Sequence, residues 1–397
     1  MIYLDNSAST ITKPKEVIKA VEEALLHFSA NPGRSGHQAS IKTALMVEEV
    51  REQISTHFNN GSSEKVIFTH NCTHALNLAI LGSAKKGGHV ICTENEHNSV
   101  LRPLEHLKRE GLITYSTAYQ SDKRGIRLTD IAPLVKDNTY LIVCNHISNV
   151  NGDKAEIEEI GKFCKEHNIV FLVDCAQSAG HEKIDMQKMN IDMLAFAGHK
   201  GFYAPQSVGS LVINGDIHLS PILFGGTGTN SLELFQPELY PERLESGTIS
   251  TPLILGLGAG IKFVESNFND IKSKLDDLTT FINYELRKLR VDVYTEPENA
   301  NGVIAFNIPN LSSSDVATLL DEHFGICVRG GLHCAPMKHK ALGTTEQGAV
   351  RVSLSYFNTV THAQKLLSAV KYILKKDKSS ISKTLQKIEK KKGSQKN

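Results

Sequence analysis

Between residues 66 and 213 the chain repeats one alternation that few folds accommodate: a short β-branched or apolar run, a polar turn, then often a helical pattern. The runs are VIFT (66–69), HVICT (89–93), TYLIVCN (139–145), IVFLVD (169–174), MLAFAG (193–198) and VGSLVI (208–213). Helical patterns begin near Thr73, after Glu96, and from about Glu156 to His167. Apolar runs this short, separated by helices, read as strands buried on both faces of a mostly parallel sheet with helices on either side. The pattern then changes. A long helical stretch from Pro252 to about Arg290 leads to VDVYT, GVIAFNI, a helix near Asp315 to Phe324, and VRVSLS. The expected organisation is a large α/β domain over 16–254, a smaller α+β domain over 255–374 joined by residues 1–15, and a basic, disordered tail over 375–397.

Open parallel sheets bind ligands beyond the carboxyl ends of their strands. Beyond these runs come Asn71, Cys72 and Thr73, then Glu96 and His97, His146 and Asn149, Asp174 and Gln177, and His199 and Lys200. Five consecutive ends carry chemically capable side chains. Each has an ordinary alternative: a cap or turn for Asp174, a salt bridge for Lys200, an N-cap for Thr73, a rim hydrogen bond for His97. Together they suit one cofactor. A desolvated lysine forms a Schiff base with an aldehyde, and a carboxylate can hold a pyridinium nitrogen. A helix N-terminus with hydroxyls, as in CTHALNLAI, takes a phosphate. Farther along, Cys334 lies in GGLHCAPMKH, a loop marked by two glycines and Pro336 and flanked by His333. Its alternative is an inert thiol.

The stretches VDCAQSAG, AGHKGFYAPQ, ENEHNSV, RLESGTISTP and VRGGLHCAP resemble the cysteine desulfurases and selenocysteine lyases of the class V aminotransferase group. The resemblance runs from YLDNSAST to VRVSLSYFNT. It implies a fold type I homodimer with pyridoxal 5'-phosphate on Lys200. Asp174 is then expected at the pyridinium nitrogen, His97 stacked on the ring, Gln177 and Asn149 at the ring oxygen, and Thr73 and His199 at the phosphate. Thr248 is expected to reach the phosphate of the other subunit. Cys334 becomes the nucleophile that takes sulfur from L-cysteine as a persulfide, leaving L-alanine. Arg351 matches the clamp for the substrate carboxylate, with Arg329 a second candidate. The short segment after Cys334 resembles the branch that passes sulfur to a separate acceptor protein. The chain departs from the group at Ala197, where a hydroxyl residue is common, and at Ala204 and Ser207, where glycine is common. L-Selenocysteine is the alternative substrate, and another class V aminotransferase or β-lyase the remaining alternative.

Composition bears on what is excluded. Nine lysines against Asp377 and Glu389 give the segment from Lys375 onward about +7, so a formal total of +1 leaves the body near −6. A mildly acidic body argues against nucleic acid as the main partner. The start, MIYLDNSAST, has no basic n-region or long apolar stretch, and PLILGLGAGIKFV is too short and glycine-rich to span a bilayer. Seven cysteines without paired spacing fit reduced thiols in a cytoplasm. HNCTH (His70, Cys72, His74) and the set His333, Cys334, His339 have zinc-capable side chains but lack the second spaced pair of structural sites, so no metal is expected. A thiol-protease-like hydrolase would use Cys334 but leaves Lys200 and Asp174 without a role.

Overall fold

In the computed structural model the chain opens with a two-residue strand, β1 (Ile2–Tyr3), followed by helices α1 (Lys15–His27) and α2 (Gln38–Phe58). The structure describes residues 1–376 except 33–35, 124 and 230–231, and beyond them residues 381 and 384–388. Most of the basic tail therefore lies outside the described residues. Contacts divide the chain into a larger unit, residues 12–147 and 154–268, and a smaller one, residues 1–11, 148–153 and 269–397.

The larger unit is built on seven strands: β2 (Val66–Thr69), β3 (Gly88–Thr93), β4 (Ile113–Ala118), β5 (Thr139–Asn145), β6 (Val170–Asp174), β7 (Met193–Ala197) and β8 (Gly209–Ile213). Their order in the sheet is β2-β8-β7-β6-β5-β3-β4. β8 runs antiparallel to both β2 and β7, and the other pairings are parallel. The carboxyl ends of β2, β3, β5, β6 and β7 therefore share one edge, the geometry inferred from the runs alone. Every residue of β2, β3, β5, β7 and β8 is buried, each large aliphatic side chain contributing about 1.5–3 kcal/mol. β4 is absent from the runs above because it is the edge strand, with Thr114 exposed and Tyr115 to Thr117 half-buried. Helices α3 (Cys72–Gly82), α4 (Asn98–Arg109), the one-turn α5 (Leu128–Ile131) and α6 (Ile157–Glu166) connect the strands.

A single helix, α7 (Thr251–Arg287), runs through the change of unit. The division falls at Phe268/Asn269, later than the position near residue 255 that composition suggests, because a continuous helix carries no local boundary signal. In the smaller unit β9 (Asp292–Val293), β10 (Val303–Asn307), β12 (Arg329–Gly331) and β13 (Ala349–Ser353) form an antiparallel sheet ordered β12-β13-β10-β9, while β11 (Ile326–Cys327) pairs with β1. Helices α8 (Ser313–Phe324), α9 (Pro336–Ala341) and α10 (Val360–Leu374) complete it. The chain's first residues are stitched to β13: Ser353 N–H donates to Leu4 O and Ser7 N–H to Ser353 Oγ.

Candidate functional site

Lys200 sits in the turn after β7, and packing fixes that turn. Phe196 and Phe202 bracket it, their ring centroids 5.3 Å apart, and Phe196 packs on Phe58 of α2 at 5.4 Å. A Cβ on Gly201 would lie 2.0 Å from the Ala179 carbonyl oxygen, and one on Gly260 of α7 would lie 2.2 Å from the Phe202 carbonyl oxygen. Only glycine allows those approaches. Ser207 has φ 63°, so an ordinary side chain occupies a left-handed position there.

Asp174 closes β6 and is buried. Its Oδ1 accepts the Ala176 N–H at 2.9 Å and the Cys72 thiol at 3.5 Å. Burial pushes the Cys72 thiol well up, Asp174 pushes it further, and Lys200 pulls the other way, so all three share one field. Glu96 is fully buried nearby, and burial raises it to about 8, so it keeps its proton at neutral pH. Its Oε1 accepts from Thr93 Oγ1 at 2.6 Å and from the Asn145 N–H at 2.8 Å. A neutral Glu96 leaves the charge of Asp174 available to a cation.

His97 caps α4: its Nδ1 accepts the Ser99 N–H at 3.0 Å. An amide can only donate, so the neutral ring carries its hydrogen on Nε2. Ser99 Oγ lies 2.8 Å from the same Nδ1 and 2.7 Å from Thr73 Oγ1. Thr73 is not the cap of α3. That role belongs to Asn71, whose side chain accepts the His74 N–H at 3.0 Å. Burial, then Lys200 and Lys13, push His199 down to about 4. Gln177 is buried in the turn after β6, while Thr248 is exposed, lining a cleft with Thr69, His70, His74 and Ser207.

Pyridoxal phosphate fits this set. Lys200 and Lys13 both bear on His199, and that positive field favours a phosphate. A buried carboxylate suits the ring nitrogen, and the α3 N-terminus offers backbone donors.

The remaining candidates lie in the smaller unit. Arg351, on β13, is 2 % exposed. Its Nη1 donates to Asn149 O at 2.9 Å and its Nη2 to Asp5 Oδ1 at 2.6 Å, while its buried Nε has no partner. Burial pulls the guanidinium pKa down and Asp5 opposes that. Asn149 Nδ2 donates to the His333 carbonyl at 2.7 Å. Arg329 pairs with Arg351 in the β12–β13 register but has an exposed side chain.

Cys334 alone of the seven cysteines is exposed. Burial raises the thiols of Cys72, Cys92, Cys144, Cys164 and Cys175, and burial with Asp321 raises that of Cys327. His333 and Cys334 both have left-handed backbones, φ 50° and 58°, a conformation costing about 1–3 kcal/mol per residue unless its surroundings hold it. They do hold it. Lys338 of α9 makes a buried ion pair with Asp153 at 2.6 Å, and Asn299 Nδ2 donates to Asp153 Oδ1 at 2.9 Å. The His333 ring is spent on Arg329 O and His339, so it is not a base for the neighbouring thiol.

Lys200, Asp174, His97, Thr73, Gln177, His199 and Thr248 thus belong to the larger unit, and Asn149, Cys334, Arg351 and Arg329 to the smaller. Sequence reasoning missed Ser99, Asp5 and Lys338. Only Ser99 left a signal, a hydroxyl two residues after a capping histidine.

A family model, aminotransferase class-V, matches residues 2–366. The chain is 35% identical over 391 residues to a probable cysteine desulfurase of Pyrococcus abyssi, covering 96% of each. It is 34% identical over 379 residues to a probable cysteine desulfurase of Methanothermobacter thermautotrophicus, covering 92% of each. Its fold matches the apo structure of a cysteine desulfurase from Thermococcus onnurineus with a TM-score of 0.88 at 33% identity, over 94% of both chains.

Proposed function

The chain belongs to the aminotransferase class-V family, among the cysteine desulfurases, and on that footing we propose that it converts L-cysteine to L-alanine and retains the sulfur as a persulfide on Cys334. The observation that carries this reading is Cys334 itself, an exposed thiol on a strained and firmly held backbone. The similarity to proteins named for removing sulfur from cysteine favours that substrate over selenocysteine.

The family depends on pyridoxal phosphate. Lys200 would hold it covalently, Asp174 its ring nitrogen, His97 its face, Gln177 and Asn149 its ring oxygen, and Thr73 and His199 its phosphate. Bound there, it supplies an electron sink that loosens bonds next to the substrate's α-carbon. The side chains do the rest. Arg351 receives the substrate carboxylate and has an uncommitted Nε–H for it. The Cys334 thiolate attacks the substrate sulfur: an S–S bond forms, the C–S bond breaks, and its electron pair stays with carbon. Carbon takes a proton and becomes the methyl group of alanine. His97 holds a proton on Nε2 for such transfers because the Ser99 amide occupies Nδ1.

Phe224, Leu232, Leu234 and Phe235 are exposed, which supports a dimer in which this apolar stretch is covered and Thr248 reaches the other subunit. An exposed Cys334 suits delivery of sulfur to an acceptor protein in the cytoplasm. Among the described residues no helix is long and apolar enough to cross a membrane.

Cys334→Ser tests the reading. The variant is expected to keep the yellow colour of the cofactor while alanine formation falls by about a hundredfold or more, a hydroxyl being far less ionised than a thiol. Mass spectrometry after one turnover of wild-type enzyme should find one added sulfur, on Cys334. Wild-type turnover by the serine variant would point to a β-lyase or aminotransferase instead.

A further inference from the structure

The Cys334 loop contains a hydrogen-bond chain whose ring protons follow from the carbonyl at its start. His333 Nε2 lies 3.3 Å from Arg329 O, His333 Nδ1 lies 3.4 Å from His339 Nε2, and His339 Nδ1 lies 2.8 Å from Thr344 Oγ1. A carbonyl only accepts, so His333 carries its hydrogen on Nε2. Its Nδ1 must then accept, which places a hydrogen on His339 Nε2. His339 Nδ1 is then left to accept from the Thr344 hydroxyl, which is nearer to it at 2.8 Å than to its other acceptor, the His339 carbonyl, at 3.5 Å. All four ring nitrogens are used, so neither ring has a lone pair for a metal or for the thiol proton. The two rings are buried, nearly parallel at 10°, and 5.6 Å apart.

We infer that His339 and Thr344 are positioning residues for Cys334, holding the left-handed His333–Cys334 backbone in the one conformation that presents the thiol for attack on sulfur. The inference rests on the desulfurase reading. A left-handed residue with a side chain relaxes unless something over-determines it. Here the chain ties the His333 ring at both nitrogens, while Asn149 ties its carbonyl. The peptide leading into Cys334 is thus fixed from two sides. Burial lowers His333 to about 2 and His339 to about 4, so both rings stay neutral near pH 7 and the proton order persists. His339, which resembles a metal ligand in the sequence, acts on the thiol only through its neighbour.

The test uses the holoenzyme. His339→Phe keeps a ring but removes the Nε2 donor, and single-turnover formation of persulfide on Cys334 is expected to fall about tenfold or more, since small misplacements of a reacting atom cost that much. The L-cysteine concentration giving half of the spectral change on substrate binding should stay within about twofold, because binding does not use the thiol. His339→Gln, with an amide N–H in reach of His333 Nδ1, should recover most of the rate. Should His339→Phe not fold, Thr344→Val serves, with an expected loss of about threefold that Thr344→Ser restores. An unchanged persulfide rate would overturn the inference. So would parallel losses in binding and rate that neither conservative variant repairs, for that is general damage. If Cys334→Ser were fully active, this inference and the desulfurase reading would fall together; if it is inactive while His339→Phe and Thr344→Val behave as wild type, only this inference falls.

Discussion

Asp174 and Lys200 announce themselves in the sequence because each puts a charge at the end of an apolar run, where a charge is costly unless something uses it. Their neighbours are less legible. Asp5 becomes meaningful only when it meets Arg351, 346 residues away, and Thr344 only when it reaches His339. Such side chains are generic in sequence and acquire a role from packing alone. At this scale Lys200→Ala should lose the covalently held cofactor and turnover together. Asp174→Asn should keep part of the cofactor while activity drops more than about tenfold, or about 1.4 kcal/mol, through loss of one electrostatic partner in a dry site. Absorbance and alanine release measure both, and a fully active asparagine variant would remove Asp174 from the site.

Strands were the most readable elements, since β2, β3, β5, β6, β7 and β8 fall within about a residue or two of the apolar runs. Burial on both faces makes their composition uniform. The same logic hides β4, whose edge position lets Thr114 face solvent, and nothing in VGSLVI reveals that β8 runs opposite to its neighbours. The turn bearing Lys200 is legible as a glycine cluster, but the reason for Gly201 is not, because the Ala179 carbonyl it approaches belongs to another segment. Gly201→Ala is accordingly expected to cost about 3 kcal/mol, seen as a lower midpoint in chemical unfolding. A variant as stable as wild type would mean the turn yields easily.

Over the whole molecule, acid should be the more damaging direction of pH. His146, His199, His333 and His339 are pushed down, mainly by burial, to about 3, 4, 2 and 4. The unfolded chain protonates them near 6.5, so it binds more protons below that pH and stability falls as pH drops from about 6.5 towards 4. Glu96 acts in the opposite sense: the folded chain keeps its proton to about 8, and that contribution is lost as pH rises. Asp192, also raised by burial, acts with Glu96, while His74, His89 and His362 are lowered like the four. The lowered histidines outnumber the raised carboxyls, so the thermal midpoint at pH 5 should lie below that at pH 7.5, and the reverse order would contradict this balance. The bonds made by Asn149 have a consequence of their own. Its carbonyl fixes Arg351 and its side chain fixes the peptide before Cys334, both within the smaller unit. With Arg351 as the proposed anchor of the substrate carboxylate and Cys334 as the proposed nucleophile, one residue would set the span between them, and the site would act as a gauge of substrate length. L-Homocysteine, one methylene longer, should be desulfurated at least about tenfold less efficiently than L-cysteine in kcat/KM, and equal efficiency would mean that the gauge does not set the choice of substrate.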